Sequence, residues 1–478
     1  MARSGRLAAS RLALLGFATL VLCGVTILWQ VEPHDEGLML AWAERLAHGQ
    51  APYRDFWCNY PPGQPLLLAG LEKLFGPSLL AWRVLRLGVD VAVALLAYAL
   101  VRRRAGEGWA VAGWLAAAGA MAFPAGPGPN ATALALGLGA IAVAPRRALV
   151  AGALAGLACF FRVEIGVVCA IGAIVEAEAA RARVAAAALA VAVATLGPFV
   201  VVLGGDMLPQ TVGFADEQRL QRLPFPLTPH VGFDPNKLLE FWMPLILVLG
   251  CAAWLLLGRR RWALAPLGLV GLGYLIARAD VYHLVPLSVA LAILLACAAA
   301  ARGGIPRAAL MVLLALIAIH GVERQAGRIV HKPALAAVPG GVGDGVRTEA
   351  ADASALSALV PYVRARIPPG DPVFVANPRF DLVHAGDPLL NVILERPNPT
   401  RYDVMQPGIV TTAKVQREMI GELSHTQLVV VWHDPRATLR EPNPAGRSSG
   451  VNLLGDYIRT AFRPAARFGV YEVRRRVG

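Results

Sequence analysis

The stretch from Leu79 to Arg104 reads LLAWRVLRLGVDVAVALLAYALVRRR, a long apolar run closed by three consecutive arginines. About 20 apolar residues cross a hydrocarbon core as a helix, and residues 79–101 meet that length. A charged side chain at the centre of such a run costs about 2.5–3.5 kcal/mol on insertion scales, so Arg83, Arg86 and Asp90 are expected to face a partner or a cavity. Arg86 and Asp90 stand four apart, the spacing of a pair along one helix, which leaves Arg83 free to meet a lipid phosphate. The Arg102-Arg103-Arg104 tract marks a cytoplasmic helix end under the positive-inside rule.

Outward from this stretch the pattern repeats. Apolar runs fall near 12–31, 79–101, 109–124, 130–144, 148–161, 164–177, 184–203, 241–257, 263–277, 285–301 and 308–322, about eleven spans. Several runs between 109 and 177 are short for a straight crossing, so a re-entrant hairpin is an alternative there. Basic tracts separate the runs: Arg3/Arg6/Arg11, Arg146-Arg147, Arg181/Arg183, Arg259-Arg260-Arg261 and Arg302/Arg307. The first run is longer than the roughly 7–15 residues of a signal-peptide core and lacks a small-residue cleavage site, so it reads as a retained span. With the N-terminus cytoplasmic, the basic tracts collect inside, and the loops 32–78 and 204–240 and everything after about 323 lie outside. A multi-pass protein of the inner or plasma membrane is expected.

Composition agrees. The 478 residues are 56% hydrophobic and 16% charged, which excludes an ordinary soluble enzyme. A net charge of +13 would fit a nucleic-acid partner, but the arginines sit between spans, so the basicity reports topology and no nucleic acid is expected. The six cysteines show neither metal spacing nor a disulfide framework.

The fold expected is a polytopic α-helical membrane protein over 1–322 with an extracytoplasmic α/β domain over 323–478, linked near 323–350. In the first external loop, Asp35 is placed to cap a helix over Glu36–His48, ended by Gly49, and Tyr60-Pro61-Pro62-Gly63 makes a rigid turn before a second helix, Pro65–Phe75. Both are amphipathic and suited to the bilayer interface. Beyond Val338-Pro339-Gly340-Gly341, helices near 353–366, 411–423 and 451–462 alternate with strands at 373–376, 428–432 and near 467–473. This tail has no glycine-rich phosphate loop and no nucleophile elbow, so it reads as accessory.

Candidate chemistry gathers at the outer ends of the spans. Asp35 and Glu36 are placed to act as general base or to ligate a divalent ion, the alternative being a helix cap and a dipole partner. Asp55 is a possible second carboxylate, or a turn residue beside Arg54. Phe161-Arg162-Val163-Glu164 interrupts an apolar run with a guanidinium suited to phosphate, or with a salt-bridged turn. Arg278-Ala279-Asp280-Val281-Tyr282-His283 sets a cation, a carboxylate and an imidazole within six residues.

Asp35-Glu36 after the first span, Pro52-Tyr53-Arg54-Asp55, Tyr60-Pro61-Pro62-Gly63 and Arg83 together resemble the GT-C fold glycosyltransferases, such as the protein O-mannosyltransferases and the lipid A aminoarabinose transferase. The Arg278…Asp280…His283 loop and the soluble tail resemble bacterial members of that group. The resemblance covers most of 12–322. It implies transfer of a sugar, usually with inversion, from a polyprenyl-phosphate carrier to an extracytoplasmic acceptor (a glycan, lipid or protein of the cell envelope). Asp35 would then be the base or acceptor-binding carboxylate, with Glu36 and Asp55 beside it. Arg83, Arg162 and Arg278 would hold the donor phosphate, and Tyr60, Glu164, Asp280 and His283 would line the substrate site. No cofactor is certain; a divalent metal on Asp35 and Glu36 is possible. Two departures stand out: a DxD motif is absent, and Arg162 stands where a lysine is common. A transporter or flippase and a non-catalytic envelope scaffold are the alternatives, the first predicting internal repeats and mid-bilayer polar groups.

Overall fold

The computed structural model of the chain describes residues 2–122, 126–223, 235–258 and 262–477. Part of the expected second external loop, 224–234, and the tract Arg259-Arg260-Arg261 lie outside the described residues. The chain forms two compact units. One takes Met1–Ile27, Val84–Pro198 and Phe225–Lys332; the other takes Leu28–Arg83, Phe199–Pro224 and Pro333–Gly478.

Alanine- and leucine-rich runs with few helix breakers fold as helices, and each apolar run is one: Ala2–Gly24, Leu79–Ala105, Glu107–Ala122, Asn130–Val143, Ala148–Phe161, Val163–Glu176, Arg181–Thr211, Pro235–Leu257, Ala265–Ala277, Val281–Ala300 and Gly304–Val330. Among the described residues, four helical stretches are long and apolar enough to cross a membrane: Leu79–Ala105, Glu178–Thr211, Val281–Ala300 and Gly304–Val330. Val281–Ala300 is apolar all round and buried along most of its length, as expected of a helix surrounded by others.

Lipid tails are as apolar as leucine, so helices in a membrane associate through close packing and internal hydrogen bonds. The first unit uses both. A side chain on Gly321 would collide with the carbonyl of Gly119, and one on Gly119 would stand 2.6 Å from the Ala318 oxygen. Thr26 donates to Gln325 Oε1 at 2.5 Å, and Gln325 Nε2 donates to the Ala122 carbonyl at 3.0 Å. Arginines of the basic tracts are ion-paired: Arg11 and Arg102 with Glu107 at 2.7 and 3.1 Å, and Arg104 with Glu176.

The second unit is built from three segments remote in sequence. In the first, helix Asp35–Ala47 packs against helix Gly63–Phe75. The second is the tail of Arg181–Thr211 with a short helix, Phe214–Leu220, so the helix continues past the loop boundary expected at 204. The third carries a two-stranded antiparallel sheet, β1 (Leu335–Ala337) and β2 (Arg347–Glu349), and a four-stranded sheet. Its strands are β3 (Phe374–Ala376), β4 (Leu428–Trp432), β5 (Phe462–Phe468) and β6 (Tyr471–Arg476), in the order β3-β4-β6-β5. β3 and β4 pair parallel and the rest antiparallel. Helices Ala350–Arg364, Pro388–Leu394, Ala413–Glu422 and Leu453–Ala461 complete it. The one final strand expected near 467–473 is a hairpin, turned at Gly469 with φ +55°. A single hydrophobic core joins Leu38, Trp42, Phe56 and Trp82 to Leu389, Val430 and Trp432. The C-terminal third is therefore no separate accessory: it closes the core under the first loop.

The Gly119–Gly321 approach gives a direct test. Gly321→Leu forces the two helices apart, an overpacking cost of about 1–3 kcal/mol. Thermal unfolding in detergent is expected to show a lowered midpoint and reduced folded yield, whereas Gly327→Ala, at a position open to space, leaves both unchanged.

Candidate functional site

Helix Asp35–Ala47 begins at the motif that opens the first loop. Asp35 does not cap it; it is the first helical residue, after His34, and the cap comes from upstream. Glu32 accepts the backbone N–H groups of His34 (3.2 Å) and Glu36 (2.9 Å), and its own N–H donates to Glu36 Oε2 at 3.1 Å. This reciprocal exchange satisfies helix-start donors as a capping box does, with a spacing of four instead of three.

Glu36 is 1% exposed and Arg83 is 5% exposed. Arg83 donates to both Glu36 oxygens, Nε to Oε1 at 2.9 Å and Nη2 to Oε2 at 2.8 Å, and reaches the Gln30 carbonyl at 2.8 Å. The guanidinium expected to stand free for a lipid phosphate is thus bound to Glu36. That fork also bears on a metal. With both Glu36 oxygens held by Arg83, the Asp35–Glu36 pair does not fit a divalent ion. Among the described residues no cluster of three His, Cys, Asp or Glu side chains offers another site.

The C-terminal third grips the same loop. The Gly386 N–H donates to His34 Nδ1 at 3.2 Å, which fixes the neutral ring as the Nε2–H tautomer, and the Leu389 N–H donates to the Pro33 carbonyl at 3.3 Å. A Cβ at Gly37 would collide with the Leu389 backbone nitrogen, so glycine is required for this approach. Between them Asp387 caps helix Pro388–Leu394 through the Leu390 N–H at 3.0 Å and accepts the Tyr471 hydroxyl at 3.0 Å. Burial pushes its carboxyl up to about 7 against those two bonds. Further along, Arg45 clamps Asp403 at 2.7 and 3.0 Å.

Asp55 belongs to its own turn. It accepts the Ala51 N–H at 2.7 Å and Arg54 Nε at 3.2 Å, which lower its pKa in that order. Tyr60 packs edge-on to Trp42 with centroids 6.1 Å apart, and its carbonyl accepts the Tyr53 hydroxyl at 2.7 Å.

The first unit holds a second group of candidates. Arg162 pairs with Glu164 at 2.6 Å, and both meet the hydroxyl of Tyr274, to which Arg162 Nη2 donates at 2.8 Å. Asp280 caps helix Val281–Ala300, accepting from the N–H groups of Tyr282 and His283 at 3.0 Å each. Its oxygens also take Arg278 Nε at 2.6 Å and His283 Nδ1 at 2.7 Å. Burial opposes ionisation of Asp280, but His283 and then Arg278 overcome it and hold the carboxyl well below its usual range. With Nδ1 donating to Asp280, His283 presents Nε2, and the side chain is 31% exposed. Tyr274 stands edge-on to His283 at 6.3 Å and joins the two pairs into one cluster.

Sequence reasoning grouped Arg278, Asp280 and His283 correctly as neighbours but missed Tyr274, Glu32 and Asp387. Tyr274 lies in an apolar run where one aromatic gives no signal, and Asp387 is remote from the loop it supports. Glu32 stood in the motif and was legible as a helix-start acid.

The described residues thus form one unit of apolar helices and a second, mixed α/β unit that holds the carboxylate-rich loop. The chain matches the crystal structure of ArnT from Cupriavidus metallidurans bound to undecaprenyl phosphate at 14% identity, covering 98% of this chain and 99% of that one with a TM-score of 0.57. The apo state of the same protein matches at 14% identity, with 98% of each chain covered and a TM-score of 0.56. At this identity the likeness establishes the fold, the one to which the motifs point. No protein-family model and no curated protein matches the chain in sequence.

Arg83→Ala leaves the Glu36 charge buried without its partner, a loss of about 3–5 kcal/mol. Unfolding followed by tryptophan fluorescence is expected to show a large drop in midpoint. Adding Glu36→Gln restores part of it, because the stranded charge is gone; a single mutant as stable as wild type contradicts the reading.

Proposed function

We propose that this chain is an integral-membrane glycosyltransferase that moves a sugar from a polyprenyl-phosphate carrier to an extracytoplasmic acceptor, with inversion at the anomeric carbon. The observation that carries this reading is the fold likeness over nearly the whole chain to ArnT, whose crystal structure is bound to undecaprenyl phosphate. Arginine tracts at one set of helix ends support a cytoplasmic N-terminus and an extracytoplasmic second unit.

In the proposed reaction the acceptor hydroxyl attacks the anomeric carbon while the bond from that carbon to the phosphate oxygen breaks. The hydroxyl proton passes to Asp35, and the electron pair of the broken bond leaves on the carrier phosphate. Glu36 takes no proton: Arg83 holds it, and the pair aims the helix that begins at Asp35. Within the first unit, taken by itself, Arg278 and His283 are proposed to bind phosphate, with Asp280 orienting both and Arg162 acting through Tyr274. Cations fixed before reaction stabilise the departing charge without reorganising. Asp55 and Tyr60 shape the loop, and Glu164 completes the Arg162 pair.

Turnover of labelled polyprenyl-phosphate sugars by purified protein in nanodiscs tests this directly. Asp35→Asn is expected to lower kcat by about 10²–10⁴-fold while leaving the folded yield intact, and full activity in that variant would remove Asp35 from the base role. His283→Ala is expected to raise the donor KM more than it lowers folded yield.

A further inference from the structure

Asp35 is framed by its neighbours. Glu32 holds the backbone N–H on each side of it, at His34 and at Glu36. Glu36 returns the bond to the Glu32 N–H and is itself gripped on both oxygens by Arg83, which also takes the Gln30 carbonyl. The result is a closed ring over residues 30–36 in which Glu32 and Glu36 are both structural acceptors.

Charged groups reach Glu32 from every element packed on it. Asp35, His34 and Glu36 lie on its own segment, and Arg83 comes from helix Leu79–Ala105 through Glu36. Asp387, at the start of helix Pro388–Leu394, and Arg436, in the 3₁₀ turn Pro435–Thr438, act from the C-terminal third. Arg436 is itself tied to Asp434 at 2.8 Å. Burial first, then the charge of Asp35, push the Glu32 carboxyl up to about 7, against the two N–H bonds and His34.

We propose that Glu32 is the positioning residue of Asp35: it fixes the backbone on both sides of that carboxylate, and its own charge makes Asp35 the stronger base. This rests on the assignment of Asp35 as the base. Glu32 takes no part in bond exchange; the acceptor proton goes to Asp35 and the leaving electron pair to phosphate. A negative charge beside Asp35 disfavours its ionised form and so raises its affinity for the acceptor proton. Transfer is therefore expected to rise as Glu32 ionises near neutral pH.

The experiment is the pH profile of kcat with a labelled polyprenyl-phosphate sugar for wild type, Glu32→Gln and Glu32→Asp, with Asp387→Asn as control. Wild type is expected to show a rise near pH 7; Glu32→Gln loses that step and falls about tenfold, and Glu32→Asp restores part of it. Asp387→Asn keeps the step. A Glu32→Gln enzyme with the wild-type step and kcat overturns the proposal.

Thermal unfolding against pH gives a readout without turnover. A carboxyl that binds its proton more tightly when folded contributes stability below its unfolded pKa and loses it as pH rises through the folded value. Wild-type stability from this group should thus fall between about pH 4.5 and 7, and Glu32→Gln should flatten that fall. An unchanged slope contradicts the buried frame. No turnover by wild type with any carrier, together with a flattened slope in Glu32→Gln, overturns the transferase reading and the base-tuning role with it, and leaves only the frame.

Discussion

The fork between Arg83 and Glu36 is the contact on which the candidate site depends. Two charges withdrawn from water are costly, and their attraction offsets this only when the geometry is good and the remaining lone pairs are satisfied. Here Arg83 covers both Glu36 oxygens, and Glu36 still receives the Glu32 N–H. The pair ties the start of one helix to the start of another, Asp35–Ala47 to Leu79–Ala105. Glu32 then closes the loop between them. What remains at the helix start is Asp35, set by neighbours whose own carboxylates are already engaged.

The C-terminal third supports the same loop from a different direction. Its contacts are mostly backbone: Gly386 to His34, Leu389 to Pro33 and Arg401 to Trp57, with the Arg45–Asp403 clamp at the far end of the helix. Backbone contacts demand a close approach, which explains the glycine at 37. Such an arrangement lets the last third of the chain fix the geometry of a loop near its beginning.

The helices were legible because their signal is local. Apolar runs, arginine tracts and the Gly49 and Gly76-Pro77 stops placed both loop helices to within a few residues. Capping was misread for a physical reason: Asp35 is a good capping residue by type, but Glu32 reaches four residues forward and takes that role. The β5–β6 hairpin was read as one strand because Pro464 and a run of arginines blur the alternation of strand residues. Helix Pro388–Leu394 has seven residues, too few to show a period, yet it carries Asp387. At the site, Arg86–Asp90 was legible at four-residue spacing, whereas Arg83–Glu36, 47 residues apart, was not.

The second unit draws on segments made at opposite ends of synthesis. His34 is hydrogen-bonded to a backbone group 352 residues later in the chain. During translation the motif loop therefore leaves the ribosome long before the residues of the last third that pack against it. Only when the last third has emerged and folded onto it does the loop acquire its final shape. A chain cut short before Gly386 would keep the Arg83–Glu36 fork and the Glu32 bonds but lose the contacts at His34 and Pro33.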